Sequence, residues 1–337
     1  MADARPQMVW TAGQAVPSMR LSTGSLMPML AFGTGAMPKG ANSRRRLGRT
    51  TRAIVAARVN QSLSLGFTHI DTSEVYPGFD AVGEAVLRSL PRERAFVTSK
   101  VDPTRAPGRR GSFCRADGSG CAEAMVLAAN STVQRLGFAP DLLLLHRPPH
   151  RHGDASAQCV RLRALWRGLE TARRQGLARA IGLSNCCAQL LQCVATGTVR
   201  EPPAVVQYMH HVGMGSDPFG YRTWAWRTWK AVYMAYSVLG GAEGDFKRIA
   251  HGPVVERIAS AHATAGANVA LSWVAQQQMP LVVLSDSAAH LREDLHLFRQ
   301  PAWAPLTDTE MAELSALQEP GGRPSHWGDC ADTAITN

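Results

Sequence analysis

Eight short apolar runs, alternating with longer helical stretches, constrain the fold of this chain more than any other feature. The runs are Pro28–Gly33, Phe67–Thr72, Ala95–Val101, Asp141–His146, Ala178–Leu183, Ala204–Met209, Ala231–Tyr236 and Leu281–Leu284. Continuous apolar runs suit strands covered on both faces, and helices between them supply the crossovers of a parallel sheet. Helical signals predict those helices over Ala53–Leu65, Ala81–Leu90, Ala122–Leu136, Val160–Gln175, Cys186–Ala195, Val254–Ala263, Val269–Gln277 and Leu291–Phe298. The α/β class that results is a closed (β/α)8 TIM barrel; no G-x-G-x-x-G follows the first strand to favour an open doubly wound sheet. Thr307-Asp308-Thr309-Glu310 has the Thr-x-x-Glu form of a capping box, so an additional C-terminal helix is expected from there to about Leu317.

With 337 residues and 45% apolar content the chain can fill one large barrel. We divide it into an N-terminal extension (1–20), the barrel (21–320) and a C-terminal tail (321–337), with a Gly-, Pro- and Arg-rich loop over Asp102–Gly120. No stretch approaches the roughly 20 apolar residues of a membrane span, and Met1 to Met19 lacks the apolar region of a signal peptide. A soluble, cytoplasmic monomer is expected. The seven cysteines are odd in number and lack CxxC spacing, with Cys186 and Cys187 adjacent, so reduced packing thiols are expected, with no disulfide framework and no metal site. The net charge of +10 is sharpest at Arg44, Arg45, Arg46, Arg49 and Arg52. Only four of the 36 cations are lysine (Lys39, Lys100, Lys230, Lys247), which reads as a general bias toward arginine; no nucleic-acid motif accompanies it, and no nucleic-acid partner is expected.

In a barrel the chemistry lies at the C-terminal ends of strands. Asp71, Lys100 and His146 stand at the ends of the second, third and fourth runs, and Tyr76 follows Asp71 by five residues, near enough to fold over the same mouth. Each alone has a structural explanation; their placement on successive strand ends favours a functional one. The set suits carbonyl reduction, in which hydride reaches carbon while a proton must reach oxygen. A phenol is a poor acid in water, with a pKa of about 10. An adjacent ammonium is expected to lower that value, and a carboxylate to hold the ammonium in place. Tyr76 is then the proton donor, Lys100 its tuner, Asp71 the anchor of Lys100, and His146 the group that orients the substrate oxygen.

Taken together, His69-Ile70-Asp71-Thr72-Ser73-Glu74-Val75-Tyr76, Val82-Gly83-Glu84-Ala85, Thr98-Ser99-Lys100, Leu145-His146-Arg147-Pro148 and Ala180-Ile181-Gly182-Leu183-Ser184-Asn185 resemble the aldo-keto reductase family in order and spacing, from about Leu21 to Leu317. The resemblance implies NADPH-linked reduction of small aldehydes or ketones with Asp71, Tyr76, Lys100 and His146 as the tetrad. It implies that Ser184, Asn185 and Gln207 hold the carboxamide, that Tyr236 stacks on the nicotinamide, that Gly33 and Thr34 lie near its ribose, and that Asp71 is also among the cofactor-binding residues. Ser237, Leu239 and Gly240 follow the seventh strand, where barrels commonly bind phosphate; Ser285, His290 and Arg292 fall in the segment that grips the 2′-phosphate. There the family usually has a Lys and an Arg, and this chain has Leu284 and His290, with Asp286 close by. NADH is therefore an alternative to NADPH. Gly35 stands where many members have Trp, and Arg147 replaces another Trp beside Tyr76 and His146 in the substrate pocket, where it would invite an anionic substrate. A cofactor-binding regulatory barrel and a polyanion-binding barrel are the competing readings, since a fold does not settle function.

Overall fold

In a computed structural model of the chain, the residues described are 8–11, 15–35, 47–102, 114–149, 155–240, 249–298 and 305–317. Arg44, Arg45, Arg46, most of the Asp102–Gly120 loop and the tail from 318 lie outside them.

Three short antiparallel strands come first: β1 (Met8–Val9), β2 (Ser18–Arg20) and β3 (Leu26–Pro28). Eight parallel strands then close on themselves in chain order: β4 (Leu30–Gly33), β5 (His69–Asp71), β6 (Phe96–Val101), β7 (Leu142–Leu145), β8 (Ala180–Ser184), β9 (Val205–Met209), β10 (Val232–Tyr236) and β11 (Leu281–Val283), with β11 pairing β4. Seven of the eight expected runs contain their barrel strand with ends trimmed by one or two residues, and the fifth, Ala178–Leu183, is shifted to Ala180–Ser184. Their residues are almost all buried, as the outer helices and the packed interior require.

The helices are α1 (Leu47–Leu65), α2 (Asp80–Ser89), α3 (Cys121–Leu136), α4 (Ala155–Arg174), α5 (Ala188–Ala195), α6 (Tyr221–Trp229), α7 (Pro253–Ala261), α8 (Gly266–Gln276), α9 (Ala288–His296) and α10 (Asp308–Ala316). The capping box opens α10 as expected: Thr307 Oγ1 accepts from Glu310 N at 3.2 Å, and the Glu310 carboxylate accepts from Thr307 N at 2.7 Å. That helix docks outside the barrel, where Trp273 Nε1 of α8 donates to Ser315 Oγ at 3.0 Å. Helix α6 has no counterpart among the expected helices. Residues Ser18–Arg20 pair with Leu26–Pro28, so the small sheet crosses the boundary drawn at 20/21. It sits at the N-terminal end of the barrel, since β3 leads directly into β4 and His69 Nδ1 of β5 bonds Pro28 O at 3.0 Å. The site is thus left to the opposite end.

The cysteines correct the sequence reading. Cys114 is disulfide-bonded to Cys121 and Cys159 to Cys193, and Cys187 is also in a disulfide; among the described residues only Cys186 is a free thiol. The partners are 7 and 34 residues apart in sequence and meet because a loop folds onto the start of α3 and because α4 packs on α5. Local spacing carries no trace of such pairs.

Candidate active site

Asp71 is the last residue of β5, Lys100 lies one residue from the end of β6, and His146 directly follows β7. Tyr76 belongs to the turn after β5, fixed by a hydrogen bond from its N–H to Ser73 O at 3.0 Å. The four side chains converge. Lys100 Nζ donates to one Asp71 oxygen at 2.5 Å and to Thr72 O at 3.1 Å. The other Asp71 oxygen accepts from Gln207 Nε2 at 2.8 Å. Lys100 Nζ is 5.2 Å from the centre of the Tyr76 ring, and the Tyr76 hydroxyl is 3.5 Å from His146 Nε2.

Burial decides the electrostatics. Desolvation is the largest influence on Lys100 and pulls its pKa down, but Asp71, followed by Tyr76, outweighs it, and the group is held above the ordinary lysine value as an ammonium. On Tyr76 desolvation wins: the phenol is pushed above its ordinary value, Lys100 drawing it back and Asp71 adding to the rise. The expected lowering by Lys100 is therefore only a partial offset. A raised value keeps the proton on the phenol through the neutral range, which is the state a general acid needs.

Two residues that sequence reasoning passed over complete the centre. Ser73 Oγ lies 2.9 Å from His146 Nδ1 and donates to Lys100 O at 3.1 Å, fully buried. Asp102 forms an ion pair with Arg147 at 3.2 Å, its side chain 1% exposed. A signal existed for both. Ser73 is two residues beyond Asp71 and Asp102 two beyond Lys100, the spacing that keeps side chains on one face of an extended chain. The pairing also neutralises Arg147, which weakens the case for an anionic substrate.

The expected cofactor residues fall into two groups. Ser184, Asn185 and Tyr236 come together at the ends of β8 and β10, and Gln207, in the middle of β9, lies in register with Ser184. Asn185 Nδ2 donates to His146 O at 2.8 Å and to Ser184 Oγ at 3.1 Å, and its Oδ1 accepts from the Tyr236 hydroxyl at 2.6 Å. Its φ of +59° is left-handed, a conformation that asparagine tolerates better than most residues. Asn185 Nδ2 and Gln207 Nε2 already donate within the protein, so the groups that could meet a nicotinamide carboxamide are the Ser184 hydroxyl, the two side-chain amide oxygens and the Tyr236 ring. Thr34 Oγ1 donates to Thr72 Oγ1 at 2.8 Å, tying β4 to β5. Gly33 has a packing role, because a Cβ there would stand 2.8 Å from Val282 Cγ1. Ser237, Leu239 and Gly240 form a turn closed by Gly240 N–H to Ser237 O at 2.7 Å. The second group lies beyond β11. Leu284, His290 and Arg292 are exposed, Ser285 Oγ is 3.4 Å from His290 Nδ1, and Asp286 is paired at 2.8 Å with Arg58 of α1, a cation that no sequence pattern singles out. Among the described residues no cluster of metal-ligating side chains is present.

The aldo/keto reductase family model matches residues 29–217, from β4 past β9. The chain belongs to that family. This reductase is an NAD(P)H-dependent oxidoreductase with the (β/α)8 fold. It is 29% identical over 318 residues to an aldo-keto reductase of Mycobacterium sp. (strain MCS), across 93% of this chain and 95% of that protein. It is 28% identical over 325 residues to NADPH-dependent codeinone reductase 1-5 of Papaver somniferum, across 90% of each. The solved aldose reductase of Schistosoma japonicum superposes with a TM-score of 0.68 at 26% identity, over 90% of this chain and 93% of that one. No helix among the described residues is long and apolar enough to cross a membrane.

Proposed function

We propose that the reductase converts a small neutral aldehyde or ketone to its alcohol, with Tyr76 as the proton donor. The observation that carries this reading is the 3.5 Å approach of the Tyr76 hydroxyl to His146 Nε2 beside the buried Lys100–Asp71 pair. A carbonyl oxygen between these two groups accepts one hydrogen bond from each, and negative charge growing on it draws the phenol proton across. Lys100 stabilises the phenolate left behind, and Asp71 holds Lys100 in place. The Asp71 carboxylate is held in turn by Gln207, so orientation reaches the phenol through buried contacts.

The amide cluster of Asn185 and Gln207, with Ser184 and the Tyr236 ring, fits the nicotinamide end of a dinucleotide. When bound, the reduced nicotinamide supplies the hydride to the carbonyl carbon. Relatives whose names include "NADPH-dependent" support that cofactor class. Tyr76→Phe tests the assignment: kcat should fall by at least about a hundredfold, the lower range for a general acid, while the dissociation constant for NADPH stays the same. Retention of about a tenth or more of wild-type kcat, a change of only about 1.4 kcal/mol, would remove Tyr76 from the role.

A further inference from the structure

His146 follows β7 on the way to α4, and Asn185 follows β8 on the way to α5. In the site these two segments meet directly, through the 2.8 Å bond from Asn185 Nδ2 to His146 O. Further along, the helices they lead into are joined covalently, Cys159 of α4 to Cys193 of α5. Little slack separates that bond from the site. Gln158, next to Cys159, donates to Pro149 O at 2.8 Å in the segment that carries His146. On the other side the carbonyl of Cys187, in the segment that carries Asn185, opens α5 by accepting from Leu190 N at 3.0 Å and Leu191 N at 2.9 Å.

Among the described residues in disulfides, Cys114, Cys121, Cys187 and Cys193 are buried, and Cys159 alone is half-buried. A thiolate arriving from solvent therefore meets this bond at Cys159 Sγ, with Cys193 as the leaving group. Arg163, one turn along α4 from Cys159, donates from Nε to Cys193 O at 2.8 Å. Gly197 lets it lie there, since a Cβ at that position would stand 3.0 Å from the same nitrogen. A guanidinium held against the leaving cysteine favours the departing thiolate. We propose that Cys159–Cys193 is a thiol–disulfide modification site through which a small dithiol controls nicotinamide binding. The dithiol supplies two electrons and two protons: its first thiolate attacks Cys159 Sγ, the S–S bond breaks with Cys193 leaving as thiolate, and its second thiol closes the reagent into a cyclic disulfide, so that both cysteines end as thiols. Opening the bond lets α4 and α5 shift against each other. The contact of Asn185 with His146 is then formed in a smaller share of molecules, and the apparent affinity falls by that share. This inference rests on Asn185 holding the nicotinamide.

The test treats the full chain with rising dithiothreitol, traps free thiols with a maleimide for peptide mass mapping, and measures the NADPH dissociation constant by fluorescence at each step. Cys159 and Cys193 should be the first disulfide-bonded cysteines to appear as thiols. The dissociation constant should rise with them by at least about threefold, as it does when the competent share falls to about a third. Oxidised dithiothreitol should reverse the change. Cys159→Ser combined with Cys193→Ser should show the weaker constant from the start and no further rise over the same range. Cys114→Ser combined with Cys121→Ser should respond as the wild type does. A rise of less than about threefold with the pair open, earlier opening of another disulfide, or wild-type affinity in the Cys159→Ser, Cys193→Ser variant overturns the proposal. If that variant does not fold, the wild-type titration decides alone. Asn185→Ala, run beside them, separates the two ideas: NADPH binding equal to the wild type there removes the assignment of Asn185 itself, whatever the disulfide shows.

Discussion

Ser73 carries one hydroxyl proton, and two acceptors compete for it: Lys100 O at 3.1 Å and His146 Nδ1 at 2.9 Å. The tautomer of a histidine follows from what its other nitrogen bonds. For His146 to donate from Nε2 to a substrate oxygen, Nδ1 must be bare, and it is then Ser73 that turns to donate to it. Ser73→Ala should accordingly lower kcat about five- to tenfold, the worth of one buried hydrogen bond of about 1–1.4 kcal/mol, and leave NADPH affinity unchanged. Steady-state kinetics beside a fluorescence titration decide it, and an unaltered kcat would mean that the hydroxyl does not set the ring. The tetrad itself was legible because Asp71, Lys100 and His146 end successive apolar runs, and strand ends of a barrel share one mouth. Ser73 and Arg58 were not read, for different reasons. Ser73 had a two-residue offset pointing to it, whereas the contact of Arg58 with Asp286 joins positions 228 apart in sequence.

Among the elements, the barrel strands were read within a few residues because burial on both faces leaves them as unbroken apolar runs. Helix α6 was missed: its sequence Tyr-Arg-Thr-Trp-Ala-Trp-Arg-Thr-Trp is rich in aromatic and β-branched residues that weaken a helical signal, and its buried face rests on Tyr221, Ala225 and Trp229 alone. The N-terminal strands, two or three residues each, are too short to show alternation. Helix α9 offers a test of how an element tolerates a buried charge. Its inward face carries Leu291, Leu295 and, between them, Asp294, whose carboxyl is pushed up to about 7 by burial first and by the neighbouring Glu293 second. The folded state thus holds this proton more tightly than the unfolded chain, where an aspartate titrates near 4. Its contribution to stability is complete below that value and is lost as pH rises through about 7. Each pH step of one in that window is worth at most about 1.4 kcal/mol. Asp294→Asn, which cannot ionise, should gain thermal stability over the wild type progressively from pH 4 to pH 8. A melting-temperature difference that is flat with pH would show that the carboxyl keeps its ordinary affinity for protons.

On the scale of the whole molecule, part of the arginine excess is structural. Arg58, Arg92, Arg135, Arg147, Arg173 and Arg257 each pair with an acidic side chain. Leu284 and His290 stand where the family resemblance places the Lys and Arg that hold a 2′-phosphate. Beyond β11 this chain presents the alkyl side chain of Leu284, 38% exposed, the imidazole of His290 and the exposed Arg292, while Arg58 is engaged by Asp286 at 2.8 Å. A charge-assisted contact to phosphate is worth roughly 1.5–3 kcal/mol, so losing two removes most of a discrimination built on them. Because a ligand that binds only the folded state stabilises the entire barrel, thermal denaturation reads the preference directly. NADPH and NADH at equal saturating concentrations should raise the melting temperature by amounts within about 3 °C of each other. A hundredfold preference for NADPH corresponds to about 2.7 kcal/mol, and at roughly 2–4 °C per kcal/mol it would separate the two curves by at least about 5 °C. Leu284→Lys combined with His290→Arg should open that gap by strengthening NADPH alone, since only NADPH carries the group the new cations meet. If the wild type already shows the gap, another cation grips the 2′-phosphate. Arg58→Ala would then identify it or exclude it: loss of NADPH binding with NADH binding retained would mean that the Arg58–Asp286 pair opens to receive the phosphate.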